Sequence, residues 1–213
     1  MTSQTRWSVI VPMKNMAQAK TRLGDTPGYR RQMAILMARD TLCAAANATA
    51  VDAVLVVCDR EEDTESFALP GVSVVVRPDL DVNQAVRAGL ALLRAANDDV
   101  NVAVLPGDLP YLRSSELDVA LRSAGRTPRA VVGDRTGHGT TLLTARAGVD
   151  LVPHYGPDSL ARHKETGAAE LSLPAWSGIR RDVDVQSDLA LTPALGYRTR
   201  ALLKKRSDLR VLA

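Results

Sequence analysis

VNVAVLPGDLP, residues 100 to 110, is an apolar run that stops at Gly107 and Asp108. A strand that is apolar nearly throughout is buried on both faces, as the central strands of a parallel sheet are. Working outward, WSVIVP (7 to 12), DAVLVVC (52 to 58), VSVVV (72 to 76) and RAVVG (129 to 133) read the same way. Helices are expected between them at 28 to 47, 82 to 97 and 115 to 124. In the middle one Val86, Leu90 and Leu93 recur at helical spacing, and Asp81 stands where its carboxylate caps the first turn. Strand and helix alternate over the first 125 residues, which implies right-handed crossovers and a mostly parallel sheet flanked by helices. The expected class is α/β, with ligands gathered at the carboxyl ends of strands. From 134 to 184 the pattern loosens into GDRTGHGTTLLTA, PHYGPDSLARH and WSGIRRDVDV, where active-site loops and a few irregular strands are expected.

Composition narrows the function classes. The 213 residues fit one large α/β domain, and no repeat, low-complexity segment or linker divides them. No apolar run reaches the roughly 18 residues of a membrane span. The start, MTSQTRWSVIVP, lacks a signal-peptide pattern, so the expected location is cytoplasmic. Cys43 and Cys58 have no CxxC spacing and read as small core side chains. Although the sequence pI is about 9.1, the net charge is only +3 and aromatic residues make up 3%. Neither a stacking platform nor a concentrated basic face for nucleic acid is present. The basic cluster RTRALLKKRSDLR (198 to 210) reads as a solvated terminal helix.

Chemistry concentrates in a few places. Asp108 stands just past the carboxyl end of a central strand, where a carboxylate can hold Mg2+ together with phosphate oxygens and water. The competing reading is a turn aspartate that caps the next helix, but Ser114 and Ser115 are already there as caps. In RRDVDV, Asp182 and Asp184 lie two apart, so in an extended segment both carboxylates point to one side. Three carboxylates suffice for one or two divalent ions against a polyphosphate. GHGTT (137 to 141) and GPDS (156 to 159) offer glycine amides and the hydroxyls of Thr140, Thr141 and Ser159; Asp158 and Ser159 also open an expected helix, an anion-binding arrangement. Either loop is equally readable as an ordinary turn. Lys14, Lys20 and Arg22 follow the first strand in VPMKNMAQAKTRL. In a parallel sheet they share an edge with Asp108, and cations that neutralise a triphosphate belong beside its metal. His138 lies in the glycine loop within reach of an acceptor, while His154 and His163 read as surface or partly buried. No histidine pair has zinc-site spacing, and neither GxSxG nor a GxGxxG after the first strand occurs.

Taken together, VPMKNMAQAKTRL, RPDLDVNQAV, LPGDLPYL, GHGTTLL, HYGPDSLARHKETGA and RRDVDVQSDL resemble the guanylyltransferases of deazaflavin (F-420) coenzyme biosynthesis, the CofC or FbiD family. The resemblance covers about residues 7 to 196 and implies the Rossmann-like fold of nucleotide-sugar and molybdenum-cofactor nucleotidyltransferases. It further implies Mg2+ on Asp108, Asp182 and Asp184, nucleotide phosphates on Lys20 and Arg22 with Lys14 nearby, and guanosine at Asn83, taken as lying in the loop before the third helix. Thr140, Gly156 and Ser159 would hold the acceptor, a small phosphorylated carboxylic acid. One departure is visible: Val185 and Gln186 follow DVD where the family often has Thr-Pro, so a helix cap and first-turn proline are missing. The implied reaction is attack by a phosphate oxygen of phosphoenolpyruvate or 2-phospho-L-lactate on the α-phosphorus of GTP. Other acceptors (3-phosphoglycerate, a sugar phosphate), another nucleotide, a DxD glycosyltransferase and a non-catalytic nucleotide-binding module stay open as alternatives. A homo-oligomer also stays open.

Overall fold

The computed structural model describes residues 5–13, 23 and 26–211. The chain runs β1 (Trp7–Met13), α1 (Pro27–Ala46), β2 (Val51–Cys58), α2 (Thr64–Phe67), β3 (Val72–Val76), α3 (Val82–Ala96), β4 (Val102–Val104), α4 (Ser114–Ala124), β5 (Arg129–Gly133), β6 (Thr140–Ala145), α5 (Ser159–Glu165), β7 (Ala169–Glu170) and α6 (Tyr197–Val211). The strands form one seven-stranded sheet in the order β3-β2-β1-β4-β6-β5-β7. It is parallel except at β6, which lies antiparallel to both β4 and β5.

The two-residue period of extended chain builds the core on both faces. Val9, Val11, Val54, Val56, Ala103 and Leu105 face one side, where Ala34, Ala38 and Leu42 of α1 and Leu117 and Leu121 of α4 cover them. Ile10, Leu55, Val57, Val102 and Val104 face the other, under Val86 and Leu90 of α3 and Leu160 of α5. Each buried Val, Leu or Ile side chain contributes about 1.5–3 kcal/mol, so a strand with such residues on both faces draws on both helical layers. A third cluster, Leu23, Met33, Met37, Tyr111, Val183, Leu195 and Leu203, sits under α6.

Local signals account for the starts of α1 and α3. Thr26 caps α1 by accepting from the Tyr29 amide, with Pro27 at the favoured first position. Asp81 and Gln84 form a reciprocal capping box on α3. α4 departs from the expectation: the residue before it is Arg113, whose amide is satisfied by Glu116, and no serine hydroxyl caps the helix. β6 falls inside the stretch where loops and a few irregular strands are expected, its first two residues in the GHGTT loop. All six of its residues are buried, which its threonines permit because Thr141 and Thr144 bond to the Val132 and Ala130 carbonyls of β5. The basic tail is helical as expected but docked rather than simply solvated, with Thr199 at 0% exposure and Leu203 at 9%. Gly196 marks why: a Cβ there would lie 2.4 Å from the Asp40 carboxyl group. That carboxylate instead accepts from the Arg198 and Thr199 amides (3.2 and 2.9 Å) and the Thr199 hydroxyl (2.8 Å), so a residue of α1 caps α6. Cys43 is half-buried and Cys58 buried, and both are free thiols. Among the described residues no helix is long and apolar enough to cross a membrane.

Candidate active site

β1 and β4 run side by side and parallel, with Ile10 opposite Val104, so the chain leaves both strands at one edge of the sheet. Lys14, Lys20 and Arg22 lie outside the described residues. The residues bracketing them are at this edge: Met13 ends β1, and Leu23 is buried in one cluster with Tyr111 and Val183. After β4 the chain makes the GDLPY turn, and two devices hold it. The buried Thr41 hydroxyl, from the middle of α1, accepts from the Leu109 amide at 3.1 Å and lies 3.0 Å from the Met37 carbonyl and 3.3 Å from that of Gly107. It thus grips the main chain on both sides of Asp108.

The second device brings in the other acidic segment. The Val183 amide donates to the Asp108 carbonyl at 3.1 Å, and the Gly196 amide to that of Pro110 at 2.7 Å. Between them Tyr111 is the hub: the Arg181 guanidinium stacks 3.7 Å from its ring centroid, and its hydroxyl accepts from the Ala190 amide at 2.7 Å. Burial alternates along the extended segment, with Asp182 half-buried, Val183 buried and Asp184 exposed, in keeping with the two carboxylates sharing a side. The missing Thr-Pro has a substitute. A single-turn 3-10 helix, Gln186–Asp188, follows, and the Asp188 carboxylate accepts from the Asp184 and Val185 amides at 3.0 and 2.9 Å. Arg135 closes on the same carboxylate at 2.7 Å. Burial alone would push the Asp188 carboxyl up, but the two amides and the guanidinium outweigh it and hold it below the usual range.

Among the described residues no three His, Cys, Asp or Glu side chains form a ready metal cluster. Mg2+ does not require one: it takes one or two carboxylates and completes its shell with phosphate oxygens and water. Asp108, Asp182 and Asp184 are hard oxygen donors of that kind, on main-chain segments bonded to each other.

β6 brings the second group of residues to the same edge. It is antiparallel to β4 with Leu143 opposite Val104, so its amino end, Thr140, lies beyond the carboxyl end of β4. The GHG loop before it is tied down by Asp134, which accepts from the Gly137 and His138 amides at 2.6 and 3.1 Å. His138 in turn holds the start of α5, its ring 3.3 Å from the Asp158 carboxylate and its carbonyl accepting from the Leu160 amide. Asp158 does not cap α5 through its side chain; it adopts a left-handed conformation (φ 52°), so the opening of α5 is set by these contacts instead. Gly156 has φ +130°, where an L side chain is strained, and an added Cβ would lie 3.2 Å from Arg162 Nη2.

Thr140 and Ser159 meet here, their hydroxyls 3.1 Å apart and their residues 7% and 2% exposed. His163 Nδ1 lies 2.9 Å from Thr140 Oγ1. Contrary to the sequence reading, His163 is at 0% exposure, because α5 turns it inward against β6. Burial, reinforced by His154 and Arg162, lowers its pKa to about 4. Asn83 also differs from expectation. It lies in the first turn of α3 rather than in a loop, and its carboxamide is engaged with the main chain of Tyr155, accepting from the amide at 2.7 Å and donating to the carbonyl at 3.1 Å. Thr41, Tyr111, Asp188 and His163 hold the candidate site in ways that sequence reasoning missed; Tyr111 in LPGDLPYL, His163 in HYGPDSLARHKETGA and Asp188 in RRDVDVQSDL stood in stretches already singled out, whereas Thr41 did not.

Residues 7–192 match the family described as guanylyl transferase CofC like. A phosphoenolpyruvate guanylyltransferase of Streptomyces coelicolor is 43% identical over 202 residues, covering 92% of this chain and 95% of that protein. Another, from Thermomonospora curvata, is 41% identical and covers 94% and 90%. Solved structures share the fold at low identity. A nucleotide-diphospho-sugar transferase candidate from Desulfovibrio desulfuricans G20 superimposes with a TM-score of 0.71 at 16% identity, covering 96% of both chains. A Mycobacterium tuberculosis protein solved in complex with manganese has a TM-score of 0.57 at 19% identity, covering 86% of this chain and 96% of that one. With the family match running from the first strand to the segment before α6, and with relatives this similar over nearly its whole length, the chain is a nucleotidyltransferase that belongs to the CofC-like guanylyltransferase family.

Proposed function

We propose that the chain transfers GMP from GTP to the phosphate of phosphoenolpyruvate, releasing pyrophosphate, as a cytoplasmic enzyme of coenzyme F-420 biosynthesis. The observation that carries this reading is the Val183–Asp108 main-chain bond, which puts the DVD segment beside the GDLP turn at the sheet edge where Thr140 and Ser159 also stand. The names of the relatives supply the nucleotide and the acceptor.

In this reading Asp108, Asp182 and Asp184 hold Mg2+, and Lys14, Lys20 and Arg22 surround the triphosphate. Thr140, the Gly156 amide and Ser159 hold the phosphoacid. Bound Mg2+ supplies charge neutralisation to the polyphosphate. A phosphate monoester has its second pKa near 6 and is already an anion at neutral pH, so no general base is required. An acceptor oxygen forms a bond to the α-phosphorus as the bond to the β-phosphate bridging oxygen breaks, and pyrophosphate leaves with that electron pair. The chain contributes position and charge. Asn83 acts through Tyr155, holding the main chain beside α5.

The test is pyrophosphate release with Mg2+ from GTP, ATP or CTP, each offered with phosphoenolpyruvate, 2-phospho-L-lactate and 3-phosphoglycerate, with products identified by mass. Release with GTP and phosphoenolpyruvate is expected, and Asp108→Ala should lower it by at least about a hundredfold with an unchanged melting temperature. Turnover with another acceptor alone would reassign the substrate, and near-normal activity of Asp108→Ala would remove that residue from the metal site.

A further inference from the structure

Behind the Thr140–Ser159 pair lies a fully buried imidazole that the proposed reaction does not use. His163 is at 0% exposure, and both ring nitrogens are engaged. Nε2 faces the main-chain N–H of His154 at 2.8 Å, and Nδ1 faces Thr140 Oγ1 at 2.9 Å. A main-chain amide can only donate, so Nε2 is the acceptor and carries no proton. In the neutral ring the proton is therefore on Nδ1, which donates to Thr140 Oγ1.

This assignment decides what the two hydroxyls can offer. Thr140 Oγ1 and Ser159 Oγ are 3.1 Å apart and share one hydrogen bond, which uses one of their two hydroxyl protons. Because Nδ1–H already occupies an acceptor position on Thr140, the second hydroxyl proton cannot be spent on the imidazole. It has to be given to some other acceptor. A ring with the opposite tautomer would take that proton and leave the pair with none to donate. The surroundings hold the ring in place: the Tyr155 ring packs edge-on at 5.1 Å, and Asn83 clamps the Tyr155 main chain directly after the His154 amide. Burial keeps the ring neutral, with its pKa lowered to about 4, so the arrangement persists throughout the neutral range.

We propose that His163 is a positioning residue for the acceptor site: by donating Nδ1–H to Thr140, it obliges the Thr140–Ser159 pair to present a hydroxyl proton to an anionic oxygen of the phosphoacid. The proposal rests on the guanylyltransferase reading for the identity of that anion. The hydrogen-bond assignment itself does not depend on it.

Two variants separate positioning from packing. His163→Asn keeps an amide donor near the Nδ1 position, whereas His163→Gln keeps an acceptor near the Nε2 position and loses the bond to Thr140. With Mg2+, GTP and phosphoenolpyruvate, His163→Gln is expected to raise the KM for the phosphoacid by about ten- to a hundredfold, the loss of one hydrogen bond to a charged group. The KM for GTP should stay within about twofold. His163→Asn should recover most of the loss, and in a Thr140→Val background His163→Gln should cost little more. Equal losses in both variants, a matching rise in the GTP KM, or a full additive loss on Thr140→Val would overturn the proposal. Nitrogen-15 NMR of the labelled imidazole reads the tautomer without any substrate, with protonated Nδ1 expected and protonated Nε2 refuting the assignment. An unmutated protein that shows the Nδ1–H tautomer but is inactive on every phosphoacid would instead refute the proposed function.

Discussion

Thr41 shows how a single side chain of α1 holds the turn that carries Asp108. A threonine in the middle of a helix usually turns its hydroxyl back on its own helix, and this one lies 3.0 Å from the Met37 carbonyl, yet it also takes the Leu109 amide at 3.1 Å. Thr41→Val keeps the shape and leaves that buried N–H without its acceptor. The expected cost is about 1–3 kcal/mol in urea denaturation, with kcat falling alongside because Asp108 is the residue before Leu109. Full stability in Thr41→Val would mean that the turn is held by Val183 and Tyr111 alone. Asp188 acts in a similar way on the other acidic segment, gathering the Asp184 and Val185 amides that a threonine cap and proline would otherwise have organised. Neither role has a signature in the neighbouring residues, because the partner of Thr41 is 68 positions away and that of Asp188 is a main-chain amide whose own conformation depends on the fold.

Among the elements, α6 departs most from its sequence reading. Its composition is that of a solvated basic helix, and Tyr197 at its start is 74% exposed. Among the described residues its buried positions are Thr199 and Leu203, with Leu202 packed partly against the same cluster, too short a pattern to stand out among so many Lys and Arg residues. Its cap comes from α1, where Asp40 sits 159 positions from Thr199. Asp40→Ala removes the acceptor of the Arg198 and Thr199 amides and the Thr199 hydroxyl together, so a loss of at least about 2 kcal/mol is expected in chemical denaturation. Limited proteolysis should then cut first near 196 to 200. A variant that stays as stable and as protease-resistant as the parent would show that α6 is held by Leu203 and its neighbours instead. β6 differs from α6 in kind. It lies where the sequence predicts irregular strands without locating them, and it is a fully buried strand because β4 and β5 flank it.

For the whole molecule, the buried imidazole links stability to pH. The unfolded chain binds a proton at His163 with a pKa near the ordinary 6.5, whereas the fold refuses it down to about 4. Between those values the unfolded state holds more protons, so stability is fully retained above about pH 6.5 and falls as pH drops toward 4. The loss attributable to this group reaches on the order of 3 kcal/mol. His163→Asn should flatten that part of the stability curve, measured by urea midpoints between pH 7 and 4; an unchanged slope would assign the acid sensitivity elsewhere.

Residues 7 to 133 determined most of the architecture by themselves, since strands buried on both faces must be apolar along their length and the helices between them must carry apolar stripes. The same local chemistry made candidates of Asp108 at a strand end, Asp182 and Asp184 at two-residue spacing, and the hydroxyls and glycine amides of two donor-rich loops, while the family resemblance picked Thr140, Gly156 and Ser159 out of those loops. Tertiary structure alone decided how these meet. It set β6 antiparallel so that Thr140 reaches the edge where β4 ends, laid the DVD segment across the GDLPY turn, put Asp40 under α6 and turned His163 inward to Thr140. The physical reason is range: apolar periodicity is written in adjacent residues, whereas a hydrogen bond between chain segments far apart exists only once the sheet has brought both partners to the same place.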